Sequence, residues 1–180
     1  RQLDMERQRI YELSIRDPLT GLFTRIYMQE VVQRLFDIQD RSPGNWLGML
    51  MLDIDHFKQI NDGYGHNQGD VVLRRVAAEV LEAVRGSDIA VRLGGEEFAI
   101  FVVGDAVSRI TPFAERLRAR IAAIRFEAPM AARTVTVSIG VAVRLPRETL
   151  LDLIQRADIA LYEAKNSGRN RVCRAAAESI

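Results

Sequence analysis

Between residues 88 and 103 the chain has the sequence DIAVRLGGEEFAIFVV, in which two runs of β-forming residues flank a pair of glycines. Glycine adopts positive φ at little steric cost, so Gly94 and Gly95 suit a tight turn between antiparallel strands. The stretch therefore predicts a β-hairpin with strands at 88–93 and 97–103. It places two adjacent acids, Glu96 and Glu97, where the chain leaves the turn.

Three further segments have the character of strands. Residues 46–52 form an almost continuous apolar run that ends at Asp53, which is typical of a central strand buried on both faces. Residues 134–143 alternate in character, and residues 171–173 are a short final candidate. Together with the hairpin they predict a mixed, mainly antiparallel sheet of five strands.

Helical patterns occupy most of the remaining chain. The candidates are residues 1–15, 25–38, 55–60, 111–124 and 150–166, and a long helix that Asp70 opens as its N-cap. The apolar residues expected of the 25–38 helix are Ile26, Val31, Leu35 and Ile38. A glycine-rich turn is expected at 62–65. This order of elements indicates an α+β domain with helices covering the sheet, rather than a doubly wound fold.

Composition excludes several classes of protein. The 180-residue chain has 25 Lys and Arg against 24 Asp and Glu, and 48 % of its residues are hydrophobic. This balance is that of a folded domain and argues against binding to nucleic acid or to a membrane surface. Cys173 is the only cysteine, so an intramolecular disulfide is excluded and a reducing, cytoplasmic compartment is expected.

Asp53 and the acids of the hairpin are the strongest candidates for chemistry. An acid at the end of a buried strand is often aimed into a cleft, although Asp53 could instead cap a following helix. Glu96 and Glu97 could likewise be charges of a solvated turn. If Asp53 and Glu96 lie on neighbouring strands, they form an oxygen-rich site of the kind that Mg²⁺ prefers. The chain has two histidines, His56 and His66, so a zinc site is not expected.

Two further pairs of residues have both a structural and a functional interpretation. Lys165 and Arg169, at the end of the last helix, either complement the helix dipole or bind a triphosphate. Asn61 and Asp70 suit a turn and an N-cap, but together they also match the donor and acceptor edge of guanine. Combined with a Mg²⁺ site, these residues indicate phosphoryl transfer on a nucleotide.

The segments together resemble the GGDEF family of diguanylate cyclases over residues 17–172. The signature is RLGGEEF at 92–98, with Glu in place of the family's Asp. Residues 53–62, DIDHFKQIND, match the family pattern D-x-D-x-F-K-x-x-N-D. The outer matches are DPLTGL at 17–22 and ALYEAKNSGRN at 160–170, so several separate blocks occur in the family's order.

The resemblance implies a palm-like, nucleotidyl-cyclase fold with a ferredoxin-like core. It also implies the condensation of two GTP molecules into cyclic di-GMP with release of two pyrophosphates. Each protomer would hold one GTP, so the catalytic form would be a homodimer. Mg²⁺, or Mn²⁺ in its place, would be held by the Asp53 carboxylate, the Ile54 carbonyl and Glu96. Either Glu96 or Glu97 would help to deprotonate the attacking 3′-hydroxyl.

The resemblance further assigns the substrate contacts and the division of the chain. Asn61 and Asp70 would bind guanine, and His66 would lie near the base or the ribose. The phosphates would be held by Lys58, Lys165, Arg169 and the Phe57 backbone. The catalytic domain would span residues 17–175, between a signalling or linker helix at 1–16 and a C-terminal tail at 176–180. The chain looks like part of a longer protein whose sensor, and any membrane anchor, would precede it.

Arg85 and Asp88 lie before the signature at the spacing of the family's inhibitory R-x-x-D site. Taken alone, the segment is a helix end followed by a turn. The resemblance implies instead that cyclic di-GMP binds here and inhibits its own synthesis, with Arg116 completing the site.

The main alternative is a non-catalytic domain that binds cyclic di-GMP or GTP and relays a signal. Such proteins usually lose signature acids, whereas Asp53, Glu96 and Glu97 are all present. An enzyme is therefore favoured, and Asp70 favours guanine over adenine as its base.

Overall fold

The structure is a computed structural model that describes residues 1–42, 44–104 and 107–177. The helices are α1 (Gln2–Ile15), α2 (Arg25–Arg41), α3 (Phe57–Tyr64), α4 (His66–Ala83), α5 (Ile110–Ala122) and α6 (Leu150–Asn166). The strands are β1 (Trp46–Ile54), β2 (Ile89–Gly94), β3 (Glu97–Gly104), β4 (Val137–Val143) and β5 (Val172–Arg174). Residues 178–180 of the expected tail lie outside the described residues.

One sheet of five strands has the order β2-β3-β1-β4-β5. The central strand β1 pairs antiparallel with both β3 and β4, and β2 pairs antiparallel with β3. Only β5 runs parallel to its neighbour, β4. The predicted α+β fold with a mixed, mainly antiparallel sheet is thus confirmed, including the hairpin at Gly94 and Gly95.

Helices cover both faces of the sheet. Alternate side chains of β1 point to opposite faces: Leu47 and Met49 pack with α2 and α6, whereas Leu50 and Leu52 pack with α3, α4 and α5. Because both faces are covered, all nine residues of β1 are buried.

The apolar face expected for α2 is wrong in part. Its buried residues are Met28, Val32 and Phe36, which recur every four positions along one side of the helix. Val31 and Leu35 are only partly buried beside them, and Ile26 and Ile38 are 69 % and 61 % exposed. The expected residues lie on the flank of this helix or away from the sheet, because α2 carries aliphatic side chains outside the face that packs on the sheet.

Two local expectations between β1 and β2 are also wrong. The segment 62–64 is helical because α3 continues to Tyr64, and Gly65, at φ +89°, separates α3 from α4. Helix α4 therefore begins at His66 with Gly65 as its N-cap, so Asp70 lies inside the helix. Its carboxylate is consequently not used as an N-cap.

Strand β4 is buried along nearly its whole length instead of alternating between core and solvent. Helix α6 packs so closely on it that a methyl group at Gly140 would overlap the backbone of Ala157 and Leu161. This close packing fixes the position of α6, whose C-terminal turn carries Lys165.

The helix expected at the start of the chain is present as α1, and none of its residues is buried. It is joined to the domain where it ends, since the Thr24 amide donates to the Ile15 carbonyl at 2.8 Å. Within the described residues, no helix has both the length and the hydropathy that a membrane span requires.

Candidate active site

The sheet register brings the predicted acids together at one end of β1. Asp53 lies between Glu97 of β3 and Ser138 of β4. The Ile54 amide donates to the Glu96 carbonyl at 3.3 Å, so the hairpin turn is attached directly to the end of the central strand. Two segments that are far apart in sequence thus form one cluster, which contains Asp53, Ile54, Glu96 and Glu97.

Asp53 is a buried carboxylate in a site of negative charge. Only 6 % of the residue is exposed, and the Lys165 ammonium contacts its Oδ2 at 2.9 Å. Burial raises the pKa of Asp53 to about 6; Lys165 opposes this shift, whereas the charges of Glu96 and Glu97 add to it. A second cation near Asp53 would relieve both the desolvation and the repulsion between these acids.

Asp55, two residues further on, has a different environment. Its Oδ1 accepts from the Ser138 hydroxyl at 2.7 Å, and its Oδ2 accepts from the Thr136 hydroxyl at 2.7 Å and the Asn170 amide at 3.0 Å. The residue is 5 % exposed. Since protein donors bind both oxygens, Asp55 is a structural carboxylate, whereas Asp53 faces the acidic cluster.

Arg92 holds the glycine turn from outside the cluster. Its Nε and Nη2 donate to the Gly95 carbonyl at 3.1 and 2.9 Å, and its Nη1 contacts the Asp17 carboxylate at 3.2 Å. Asp17 also accepts from the amide and hydroxyl of Thr20. The turn that carries Glu96 is therefore linked to the segment that follows α1, a connection that the residue types alone did not reveal.

The expected guanine contacts lie on the pair of helices α3 and α4. The Asn61 side chain lies so close to Gly69 that a methyl group there would collide with its amide oxygen. Gly69 thus lets α4 approach Asn61, and Asp70 is the next residue along α4. Lys58 and His66 are exposed at the starts of α3 and α4.

The phosphate candidates occupy three positions around the cluster. Phe57 is the first residue of α3, after His56 in the left-handed conformation at φ +56°. Lys165 reaches the acidic cluster, where it is paired with Asp53. Arg169 lies in the turn beyond α6 and is exposed, with φ +60°.

A separate cavity of about 430 Å³ contains the residues of the predicted inhibitory site. It is lined by Arg85, Asp88 and Arg116, together with Trp46, Arg109 and Phe113. The Asp88 Oδ2 accepts from the Arg85 amide at 2.8 Å, which closes the turn before β2. The other carboxylate oxygen, Oδ1, is buried and has no partner among the described residues. A buried acceptor without a donor is costly unless a ligand completes it.

The donors near Asp53 suit a cation that receives part of its coordination from the substrate. Among the described residues, no three His, Cys, Asp or Glu side chains are arranged to hold a metal by themselves. A buried Asp53, a neighbouring Glu96 and the Ile54 carbonyl would leave most positions to water and phosphate, as Mg²⁺ commonly requires. Lys165 supplies the cation that Asp53 contacts in this structure.

Comparison with known proteins identifies the family. Residues 14–171 match the sequence model of the diguanylate cyclase GGDEF domain. Among curated proteins, the chain is 38 % identical over 159 residues to the diguanylate cyclase DgcP of Pseudomonas aeruginosa, covering 88 % of this chain and 24 % of DgcP. It is also 38 % identical over 157 residues to the diguanylate cyclase DosC of Escherichia coli, covering 87 % of this chain and 34 % of DosC. The chain thus spans about a quarter to a third of these relatives.

Solved structures give the same result. The coiled coil and GGDEF domain of DgcB from Caulobacter crescentus, in complex with c-di-GMP, superimposes with a TM-score of 0.92 at 31 % identity, covering 97 % of this chain and 92 % of that one. The active GGEEF domain of a diguanylate cyclase from Vibrio cholerae has a TM-score of 0.73 at 32 % identity, covering 81 % of this chain and 92 % of that one. With the acidic cluster in place on the same fold, this chain belongs to the GGDEF-domain family of diguanylate cyclases, which are GTP:GTP nucleotidyltransferases.

Proposed function

We propose that this domain condenses two GTP molecules into cyclic di-GMP and two pyrophosphates, with two protomers each holding one GTP. The observation that carries the proposal is the cluster of Asp53, Glu96 and Glu97 at the junction of β1 and the glycine hairpin, with Lys165 in contact. Because carboxylates alone would repel a triphosphate, the cluster needs a cation between the acids and the substrate.

The Asp53 carboxylate, the Ile54 carbonyl and Glu96 would hold Mg²⁺, for which Mn²⁺ is a chemically similar substitute. When bound, the ion would neutralise phosphate charge and lower the pKa of an attacking hydroxyl. The Lys165 ammonium would then leave Asp53 and contact a phosphate oxygen, since it cannot be placed optimally for both partners at once. Lys58, Arg169 and the Phe57 backbone would bind the remaining phosphate oxygens.

The reaction joins the 3′-oxygen of one GTP to the α-phosphorus of the other and breaks the bond from that phosphorus to pyrophosphate. Glu96 or Glu97 would accept the proton of the 3′-hydroxyl. Two such transfers close the ring. Asn61, whose side chain packs against Gly69, and the neighbouring Asp70 would bind the guanine edge, and His66 would lie near the base or ribose.

A single domain carries one such cluster, so both transfers require a homodimer in which the two clusters face each other. We expect the specific activity to rise with protein concentration until dimers predominate. A non-catalytic receptor for GTP or cyclic di-GMP is the alternative, and it would bind nucleotide without forming product.

The test is to incubate the protein with GTP and Mg²⁺ at several protein concentrations and to separate the nucleotides by chromatography. We expect cyclic di-GMP and pyrophosphate from the unaltered protein and none from Glu97→Gln. Asp158→Asn, on the exposed side of α6, is the matched control and should retain full activity. Nucleotide binding without product at every protein concentration would replace the proposal by the receptor alternative.

We also propose that the cavity at Arg85, Asp88 and Arg116 binds cyclic di-GMP and inhibits the enzyme. Two guanidinium groups suit the two phosphates of this ligand, and the unpaired Asp88 Oδ1 would accept a hydrogen bond from a guanine. Trp46, the only tryptophan, lines the cavity, so its fluorescence should report binding. Arg85→Ala should abolish the fluorescence change and raise the inhibition constant, and an unchanged constant would exclude this site.

A further inference from the structure

We propose that Asp55 is a positioning residue for Arg169. Its buried carboxylate holds the turn after α6 in the conformation that presents Arg169 to the triphosphate. The inference rests on the proposed function, in which Arg169 binds phosphate, and it adds a residue that acts through the backbone without touching substrate.

The turn that carries Arg169 has an unusual backbone. Gly168, Arg169 and Asn170 have φ values of +117°, +60° and +46° in succession. Residues other than glycine are disfavoured in the left-handed region, so two of them in sequence persist only where surrounding contacts hold them. The direction in which the exposed Arg169 side chain leaves the backbone therefore depends on those contacts.

Asp55 supplies the buried contact. Its Oδ2 accepts a hydrogen bond from the backbone amide of Asn170 at 3.0 Å. The carboxylate also accepts from the hydroxyls of Ser138, in β4, and Thr136, just before β4, and these bonds fix its orientation. The Asp55 amide in turn donates to the Thr136 carbonyl at 2.9 Å. The position of the carboxylate is thus fixed independently of the turn, and the turn adopts the conformation in which Asn170 can donate to it.

Two further contacts hold the same turn. The Arg118 Nη1 of α5 donates to the Asn170 Oδ1 at 2.9 Å. The Arg169 amide donates to the Ala164 carbonyl at 3.0 Å, which ties the turn back to α6. Arg169 itself is thus held through its backbone and its neighbour, and its side chain is left exposed.

The two acids where β1 ends therefore position two cationic residues, Lys165 in the last turn of α6 and Arg169 in the turn that follows it. Asp53 contacts the side chain of Lys165, and Asp55 contacts the backbone beyond Arg169. One strand end sets the acidic cluster and the positions of two groups that would bind the phosphates. This arrangement gives each of the two acids a separate role: Asp53 faces the acidic cluster, and Asp55, two residues later, holds the turn.

The test measures binding without turnover. The ligand is 3′-deoxy-GTP with Mg²⁺, which lacks the attacking hydroxyl, and GMP serves as the comparison because it lacks the β- and γ-phosphates. Calorimetry would give both affinities for the unaltered protein, Asp55→Asn, Arg169→Ala and the double variant. We expect Arg169→Ala and Asp55→Asn each to weaken 3′-deoxy-GTP binding about 5- to 10-fold and GMP binding less than 2-fold.

The double variant decides whether Asp55 acts through Arg169. If it does, Asp55→Asn adds no further loss once Arg169 is alanine, because nothing remains to be positioned. Losses that multiply, or an equal loss of GMP affinity, would assign Asp55 a purely structural role and overturn the inference. Failure of the unaltered protein to bind 3′-deoxy-GTP would instead overturn the proposed function itself.

Arg118→Leu provides a second variant outside the core, since Arg118 is not among the buried residues of α5. Releasing the Asn170 side chain should weaken 3′-deoxy-GTP binding about 2- to 4-fold, again without effect on GMP. Arg120→Leu is the matched control on the same helix, because Arg120 pairs with Glu79 and Glu82 and does not contact the turn. Equal effects of these two variants on 3′-deoxy-GTP would contradict the proposal.

Discussion

At the residue scale, Asp53 and Asp55 show how two carboxylates two positions apart acquire different properties. Both oxygens of Asp55 accept hydrogen bonds from protein donors. Among the described residues Asp53 pairs with the Lys165 ammonium, and burial with two neighbouring glutamates raises its pKa to about 6. Keeping Asp53 ionised in this environment therefore costs the folded state free energy, which agrees with the proposed role of Asp53 in binding a metal ion.

The first prediction concerns the pH dependence of stability without metal. Because the folded pKa of Asp53, about 6, lies above the ordinary aspartate value of 3.8, the folded state binds the proton more tightly than the unfolded state. The stability that this proton contributes is present at low pH and is lost as pH rises through 6. Relative to Asp53→Asn, the unaltered protein should lose about 2 kcal/mol of unfolding free energy between pH 4.5 and 7.

Urea denaturation in EDTA at the two pH values measures this difference. Comparing the protein with its Asn variant cancels the contributions of other acids, including Asp17, whose pKa is lowered by Thr20 and Arg92 despite partial burial. A difference that stays constant with pH would show that Asp53 titrates normally. The variant should be inactive as a cyclase at both pH values.

The second prediction concerns Arg92, whose guanidinium joins the Gly95 carbonyl to Asp17. Lysine keeps the charge but cannot bind both partners with a planar fork. Arg92→Lys should lower the free energy of unfolding by about 1–2 kcal/mol and reduce the rate of cyclic di-GMP formation more than 10-fold, because the turn that carries Glu96 loosens. Arg34→Lys, on the exposed side of α2, is the control. If Arg92→Lys were as active as this control, the conformation of the glycine turn would not depend on Arg92.

At the element scale, patterns that depend on neighbouring residues were predictable. The hairpin follows from its glycines, β1 from its apolar run, and α6 was predicted over the same residues that the structure has. The face of α2 and the start of α4 were not, because the first depends on which side the sheet occupies and the second on Gly65 at positive φ. Contacts such as Asp53 with Lys165 join residues remote in sequence. Residue types therefore suggested that Asp53 and Glu96 share a metal site, but not that Lys165 contacts Asp53.

The third prediction concerns the packing of α6 on β4. A methyl group at Gly140 would overlap the backbone of Ala157 and Leu161, and a helix backbone cannot yield as a side chain can. Gly140→Ala should therefore lower the free energy of unfolding by about 2–3 kcal/mol. It should also weaken nucleotide binding, since Lys165 moves with the helix.

Gly63→Ala is the matched control for this substitution. Gly63 lies within α3 with nothing inside 4 Å of the added methyl, so alanine should stabilise the helix by about 0.5–1 kcal/mol. Chemical denaturation of both variants gives the comparison. Equal stabilities would mean that α6 moves away from the sheet without cost.

At the scale of the whole molecule, the body of the domain is independent of α1, which contributes no buried residue. Deleting residues 1–14 keeps Ile15, whose carbonyl accepts from Thr24. The fourth prediction is that this deletion shifts the melting temperature of the remaining domain by less than about 2 °C, since the change in free energy should be within about 0.5 kcal/mol. Calorimetry on the monomer checks this, and a fall of more than about 5 °C would show that α1 packs on the domain.

The central place of β1 has a consequence for how the chain is made. This nine-residue apolar strand is synthesised before its partners β3 and β4, which begin at residues 97 and 137. Until those residues leave the ribosome, both edges of β1 lack their native neighbours, and such segments readily pair with copies of themselves. The strand that ends at Asp53 therefore has two unpaired edges whenever β3 and β4 are unfolded, and yields of refolded protein should fall as its concentration rises.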